Sequence, residues 1–73
     1  MGRVPLDLKP GDIIAIKAKG ITVRGTILSA CYYGPEDGWY IELINANVPG
    51  GYSYWKQGLD GGKIVEVNGR HIG

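Results

Sequence analysis

The sequence predicts an all-β domain, built as a small five-stranded barrel. Runs of β-branched and aromatic residues recur about every ten residues, each bounded by a turn containing glycine or proline. No stretch of about 11 residues repeats apolar positions at i, i+3 and i+4, as an amphipathic helix requires. Thirteen glycines in 73 residues, against a usual share of about 7%, break every candidate helical window and supply turns.

Pro10-Gly11-Asp12 is a turn signal, and the first strand follows as Ile13 to Ala18, closed by Lys19-Gly20. The second, Ile21 to Ile27, alternates with period two and places Ile21, Val23 and Ile27 on one face. Gly25 falls on that face where a side chain is expected, which suits a bulge or bend that lets one strand serve two sheets. Tyr32 to Gly38 is a loop with the turn dipeptides Gly34-Pro35 and Asp37-Gly38. The third strand, Trp39 to Ile44, directs Trp39, Ile41 and Leu43 to the core and Tyr40 and Glu42 outward. Asn45 to Gly51 forms a hairpin connection to a fourth strand, Tyr52 to Gln57. After a turn at Gly58 to Gly62 comes the fifth, Lys63 to Val67. Met1 to Lys9 and Asn68 to Gly73 are either frayed or latched onto an edge strand. Residues 1–73 make one domain, with its core within about 10–67.

A domain of this size buries only about 60% of the surface its unfolded chain exposes, so its core is thin and oligomerisation is one way to extend it. Eight Lys and Arg stand against seven Asp and Glu, for a net charge of +1. The basic residues are scattered from Arg3 to Arg70, which argues against a duplex-DNA binder with a basic stripe. A single Cys31 excludes an internal disulfide, and a metal site would need carboxylates and His71 almost alone. No cofactor is implied. Apolar runs such as Ile13 to Ile16 fall far short of the roughly 20 residues of a membrane helix. No signal-peptide pattern opens the chain. The expectation is a soluble, unprocessed, cytoplasmic protein with no membrane partner.

The order PGD, strand, VRGTI, loop, DGWYIEL, hairpin, GYSYWKQGLDGG, strand covers about Pro10 to Val67. It resembles the SH3-like barrels of many short bacterial and phage proteins. GWYIEL followed by YWKQGLDGG is similar to small uncharacterised proteins carried by bacteriophages and prophages. That resemblance implies a host cytoplasm and a role in blocking a host factor or soaking up a defence signal. Gly11-Asp12, Gly25-Thr26-Ile27 and Pro35-Glu36-Asp37-Gly38 also resemble segments of the type II plasmid dihydrofolate reductases. Those enzymes build one pore from four subunits and hold folate and NADPH with a Val-Gln-Ile-Tyr strand. Here Ser53-Tyr54-Trp55-Lys56-Gln57 stands near that region, the motif is missing, and no catalytic residue carries over.

Nucleophilic catalysis needs a Ser, Cys or Thr within reach of a general base. His71 reads as an exposed tail histidine, and Cys31, with no basic neighbour in sequence, as a small buried hydrophobe. Glu36, Asp37 and Asp60 lie in turns, where carboxylates accept local backbone hydrogen bonds, and their spacing matches no calcium loop. Gly58-Leu59-Asp60-Gly61-Gly62 lacks the Lys-Ser/Thr of a phosphate loop and leads into a strand. No catalytic or metal-binding residue is assigned.

The remaining signal is the run GYSYWKQGLDGG. In a strand, Tyr52 and Tyr54 point one way and Ser53, Trp55 and Gln57 the other, so one aromatic set is core and the other faces solvent or a partner. With Trp55 inside, Tyr52 and Tyr54 stand outside near Tyr40 and Arg24. With Tyr54 inside, Trp55, Gln57 and Trp39 face a groove. Both arrangements stay open at this point. Either leaves a ring beside cations and amides, so the candidate binding surface comprises Tyr54, Trp55, Lys56 and Gln57, with Tyr32, Tyr33, Trp39 and Arg24. It suits a nucleotide-like small molecule, with Lys56 or Arg24 for phosphate and Gln57 for a base edge. It equally suits a host protein, since Tyr, Trp and Arg dominate interface hot spots. The expected function is a non-enzymatic binding module of phage or mobile-element type that binds or sequesters such a ligand. Single-stranded nucleic-acid binding, a dihydrofolate reductase-like oligomer and a structural homo-oligomer are the alternatives.

Overall fold

A computed structural model describes residues 6–72; the expectation for the N-terminal end falls partly on 1–5, outside the described residues. The elements are β1 (Ile13–Ala18), β2 (Ile21–Tyr32), β3 (Trp39–Ile44), β4 (Ser53–Lys56), α1 (Gln57–Asp60), β5 (Lys63–Val67) and β6 (Arg70–His71). The strands form one antiparallel sheet in the order β4-β3-β2-β1-β5-β6. The chain is all-β. Where five strands were expected, the described residues hold six, because Asn68 adopts a φ of 51° and turns the chain back onto β5. The C-terminal end is thus latched as far as Ile72, whose N–H donates to the Val65 carbonyl at 2.8 Å; Gly73 lies outside the described residues. The expected fourth strand is trimmed to Ser53–Lys56, since Gln57 begins the single helical turn.

β2 serves two neighbours in succession. Ile21 to Thr26 pair with β1, and Thr26 to Tyr32 pair with β3. The register shifts between Ile27 and Ser29, so the bulge lies at Leu28 and not at Gly25. Gly25 has another reason to be small: a Cβ there would stand 2.9 Å from Ala46 Cβ and 3.1 Å from Leu43 Cβ.

The bulge also reverses which residues face inward. Val23 and Ile27 pack on the core before it, Ala30 and Tyr32 after it. Cys31 is therefore exposed, which corrects the expectation of a buried thiol. Ile21, expected on the core face, is 64% exposed because it starts the strand beyond the edge of the core.

Ile14, Ile16, Ile27, Trp39, Ile41, Leu43, Trp55 and Ile64 form the core, with Leu6, Leu8 and Val67 packed against it. Each fully buried aliphatic side chain, such as Ile14 or Ile41, contributes roughly 1.5–3 kcal/mol. Trp55 is 5% exposed and Tyr54 43%, which settles the choice between the two aromatic arrangements. Trp55 Nε1–H donates to the Gly61 carbonyl at 2.8 Å, pinning the turn after α1.

Asp12 is the buried polar residue beneath the latch. Its Oδ2 accepts from Lys9 N–H at 3.2 Å, and its Oδ1 accepts from Asn68 Nδ2 at 3.3 Å. Asn68 Oδ1 in turn accepts from Ile13 N–H at 2.9 Å. Both ends of the described chain are tied to the start of β1 through these two side chains.

Candidate functional site

The outward face of β3 and its flanking strands gathers the exposed aromatic residues. Alternation along β3 sends Tyr40 and Glu42 outward, as expected, while Trp39, Ile41 and Leu43 are buried. Register then sets their neighbours: Tyr40 stands directly opposite Cys31 on β2 and Lys56 on β4, and Glu42 opposite Ser29 and Tyr54.

Three tyrosines form a continuous row. Tyr33 meets Tyr40 edge-on at a centroid distance of 5.6 Å, and Tyr40 meets Tyr54 at 5.1 Å and 75°. These are favourable aromatic geometries. Lys56 Nζ lies 4.8 Å from the Tyr40 ring centroid and 5.6 Å from that of Tyr54. Among the described residues Lys56 forms no ion pair, so its ammonium rests on rings and phenol oxygens. A neighbouring groove of about 370 Å³ is lined by Tyr33, Asp37, Tyr40, Lys56 and Leu59. Leu59, 77% exposed, forms its outer wall.

The electrostatics follow from these contacts. The Tyr54 hydroxyl, then the Lys56 ammonium, favours the phenolate of Tyr40 and lowers its pKa. Desolvation, followed by the Tyr40 oxygen, raises that of Tyr54. Lys56 is raised, mainly by its hydrogen bonding to Tyr40. Beside this cluster Glu42 accepts from Ser29 Oγ at 2.6 Å and from the Tyr52 hydroxyl at 2.5 Å.

Of the residues singled out in the sequence, Tyr33, Tyr54 and Lys56 come together on this face. Trp55 and Trp39 are core, each 5% exposed; Trp39 forms part of the floor of this groove and Trp55 reaches only a cavity on the far side of β4. Tyr32 turns inward and packs against Trp39, with ring centroids 5.2 Å apart and the rings tilted by 55°. Gln57 is committed internally: its Oε1 accepts from Trp39 N–H at 3.1 Å and its Nε2 donates to the Gly62 carbonyl at 3.3 Å. A Cβ at Gly38, whose φ is +72°, would collide with that amide. Arg24 lies on the other outward face, paired with Glu66 at 2.8 Å.

Tyr40 and Leu59 belong to the site without having been named for it. Tyr40 was legible as outward, but its place between Lys56 and Tyr54 is a matter of register. Leu59 sits in a glycine-flanked turn that gives no sign of where its side chain projects. Among the described residues, no three His, Cys, Asp or Glu side chains come together to hold a metal ion, and no helix is long and apolar enough to cross a membrane. No family model, curated protein or solved structure matches this chain.

Proposed function

We propose that this chain is a non-enzymatic protein-binding module on a small SH3-like barrel, and that its recognition surface is Tyr33, Tyr40, Tyr54, Lys56 and Leu59. The observation that carries the reading is the Lys56 ammonium, seated on two tyrosine rings with no carboxylate partner among the described residues. Three tyrosines, a residue type enriched in interface hot spots, surround a partly desolvated cation beside the exposed Leu59. The nucleotide reading is weaker, because Gln57, its reader of a base edge, and Arg24, one of its two cations for phosphate, are engaged elsewhere, which leaves Lys56 alone. A binding role over catalysis is supported by the separation of Cys31, opposite Tyr40, from His71, opposite Glu66. The barrel reading rests on β2 bending between two pairings and on α1 joining β4 to β5.

The test is photo-crosslinking in host extract from a benzophenone placed at Leu59, with and without Lys56→Ala and Tyr33→Ala. Those two substitutions should abolish a specific adduct while stability changes by less than about 0.5 kcal/mol. Trp55→Ala, which empties the core, should instead cost about 3–5 kcal/mol. An adduct pattern indifferent to Lys56 and Tyr33 would refute the site.

A further inference from the structure

β4 ends the sheet, with β3 on one flank and, among the described residues, no strand on the other. Main-chain groups alternate in direction along an antiparallel strand. One bond sets the phase here: Lys56 N–H donates to Asp60 Oδ2 at 3.1 Å, off the sheet. Tyr54, two residues earlier, therefore directs its own N–H and C=O off the same flank. The Lys56 end is closed, because Asp60 occupies its N–H and its C=O opens α1. The open stretch is short and centred on Tyr54. Beside it lies an apolar cavity of about 210 Å³, with Ile21 and Val23 on one side, Tyr54 on the other, and Ile16, Leu43 and Trp55 lining it.

We propose that this edge docks an extended segment of a partner protein, which adds as a strand against Tyr54 and inserts aliphatic side chains into the cavity between Ile21 and Trp55. The Tyr54 N–H and C=O supply the main-chain bonds, and the cavity supplies selectivity. Because side chains alternate, the partner residue opposite Tyr54 faces outward, and its two neighbours face the cavity. The lining selects Val, Ile or Leu at those two places. A second copy pairing through its own β4 fits less well. A two-fold axis at Tyr54 would set Ser53 opposite Trp55, and Trp55 is committed to the core and to Gly61. The cavity would then stay empty. This site uses the Tyr54 main chain, so it stands independently of the groove between Tyr33 and Leu59.

Amide hydrogen exchange on the full chain tests it, with acetyl-Thr-Val-Thr-Val-Thr-amide as probe and acetyl-Thr-Gly-Thr-Gly-Thr-amide as control. At about ten times the dissociation constant of the valine peptide, exchange at Tyr54 should slow about tenfold. Lys56, already bonded to Asp60, should change little, and the glycine peptide should protect nothing. Tyr54→Pro, tolerated where an edge N–H faces solvent, should abolish peptide binding, and Ile21→Asp should weaken it. Three results would overturn the proposal: no protection at about 10 mM valine peptide, well beyond a millimolar dissociation constant; equal protection by the glycine peptide; or protection that rises with protein concentration alone, which would signify a second copy. Should Tyr54→Pro fail to fold, the two peptides on the unaltered chain still decide.

Discussion

Arg24 and Glu66 meet at 2.8 Å across Ala15, and their ion pair covers a residue that is wholly buried on the outward side of the sheet. Ala15 stands opposite Arg24 on β2 and opposite Glu66 on β5, while Ile14 and Ile16 point to the core. Its burial comes from the stems of two charged side chains. The half-exposed charges themselves contribute about 0–1 kcal/mol. Ala15→Leu should part the pair and cost roughly 1–3 kcal/mol, whereas Arg24→Ala should cost about 1 kcal/mol or less. Urea unfolding compares the two, and equal losses would show that charge and not packing holds this row.

Asn68 ties the turn after β5 to the start of β1 by three bonds: its side-chain amide reaches Ile13 N–H and Asp12 Oδ1, and its own N–H donates to the Ile13 carbonyl at 2.6 Å. Asn68→Gly retains the left-handed backbone that the turn needs but removes the amide, leaving Asp12 with one fewer donor. The expected loss is about 1–3 kcal/mol, with faster amide exchange at Ile13. Unchanged exchange there would mean that the backbone pairing alone secures the latch.

Glu42 titrates against two donors. Hydrogen bonds from Ser29 and then Tyr52 stabilise its carboxylate and lower its pKa from the ordinary 4.5. A lowered folded value means stability present above the unfolded pKa and lost as pH falls through the folded one. The same contact raises Tyr52 above its ordinary 10, so that contribution is present below the unfolded value and lost as pH rises through the folded one. Glu42→Gln should therefore flatten the melting-temperature profile in acid, below about pH 4.5, and in base, above about pH 10. Superimposable profiles for the two proteins would refute the linkage.

Tyr40 should ionise below the ordinary tyrosine value, since the Tyr54 hydroxyl and the Lys56 ammonium both favour its phenolate. In an absorbance titration of the phenolate band, Tyr40→Phe should remove that early step. Tyr54→Phe should move that step upward more than Lys56→Met does, because the hydroxyl is the larger cause. The reverse order would mean that the ammonium dominates.

β1, β3 and β5 were legible residue by residue, because each is a clean run of β-forming residues between turn signals. The second half of β2 was not. Leu28 breaks the period of two, and the Ser-Ala-Cys that follows has little β propensity of its own. β6 is two residues long, too short to show alternation, although Asn68-Gly69 before it is a strong hairpin signal. Within the site, Tyr54 and Lys56 could be named from composition, but not the engagement of Arg24, whose partner lies 42 positions away. Gln57 posed the same difficulty: its amide is claimed by Trp39 and Gly62 only once the chain has folded.

The extra residue at Leu28 behaves like a frameshift in β2. Upstream the odd-numbered positions read inward; downstream the even-numbered ones do, and the tyrosine row depends on the second frame. Replacing the half-exposed Leu28 side chain leaves that frame alone, whereas deleting the residue interchanges the two sides of everything up to the loop. Ser29 and Cys31 would then turn toward the core and Tyr32 away from Trp39. The thiol of Cys31 is a built-in reporter of the frame: it is open to alkylation in the native chain and closed in any folded variant lacking Leu28. Length, and not chemistry, is the property of this position that the binding face inherits.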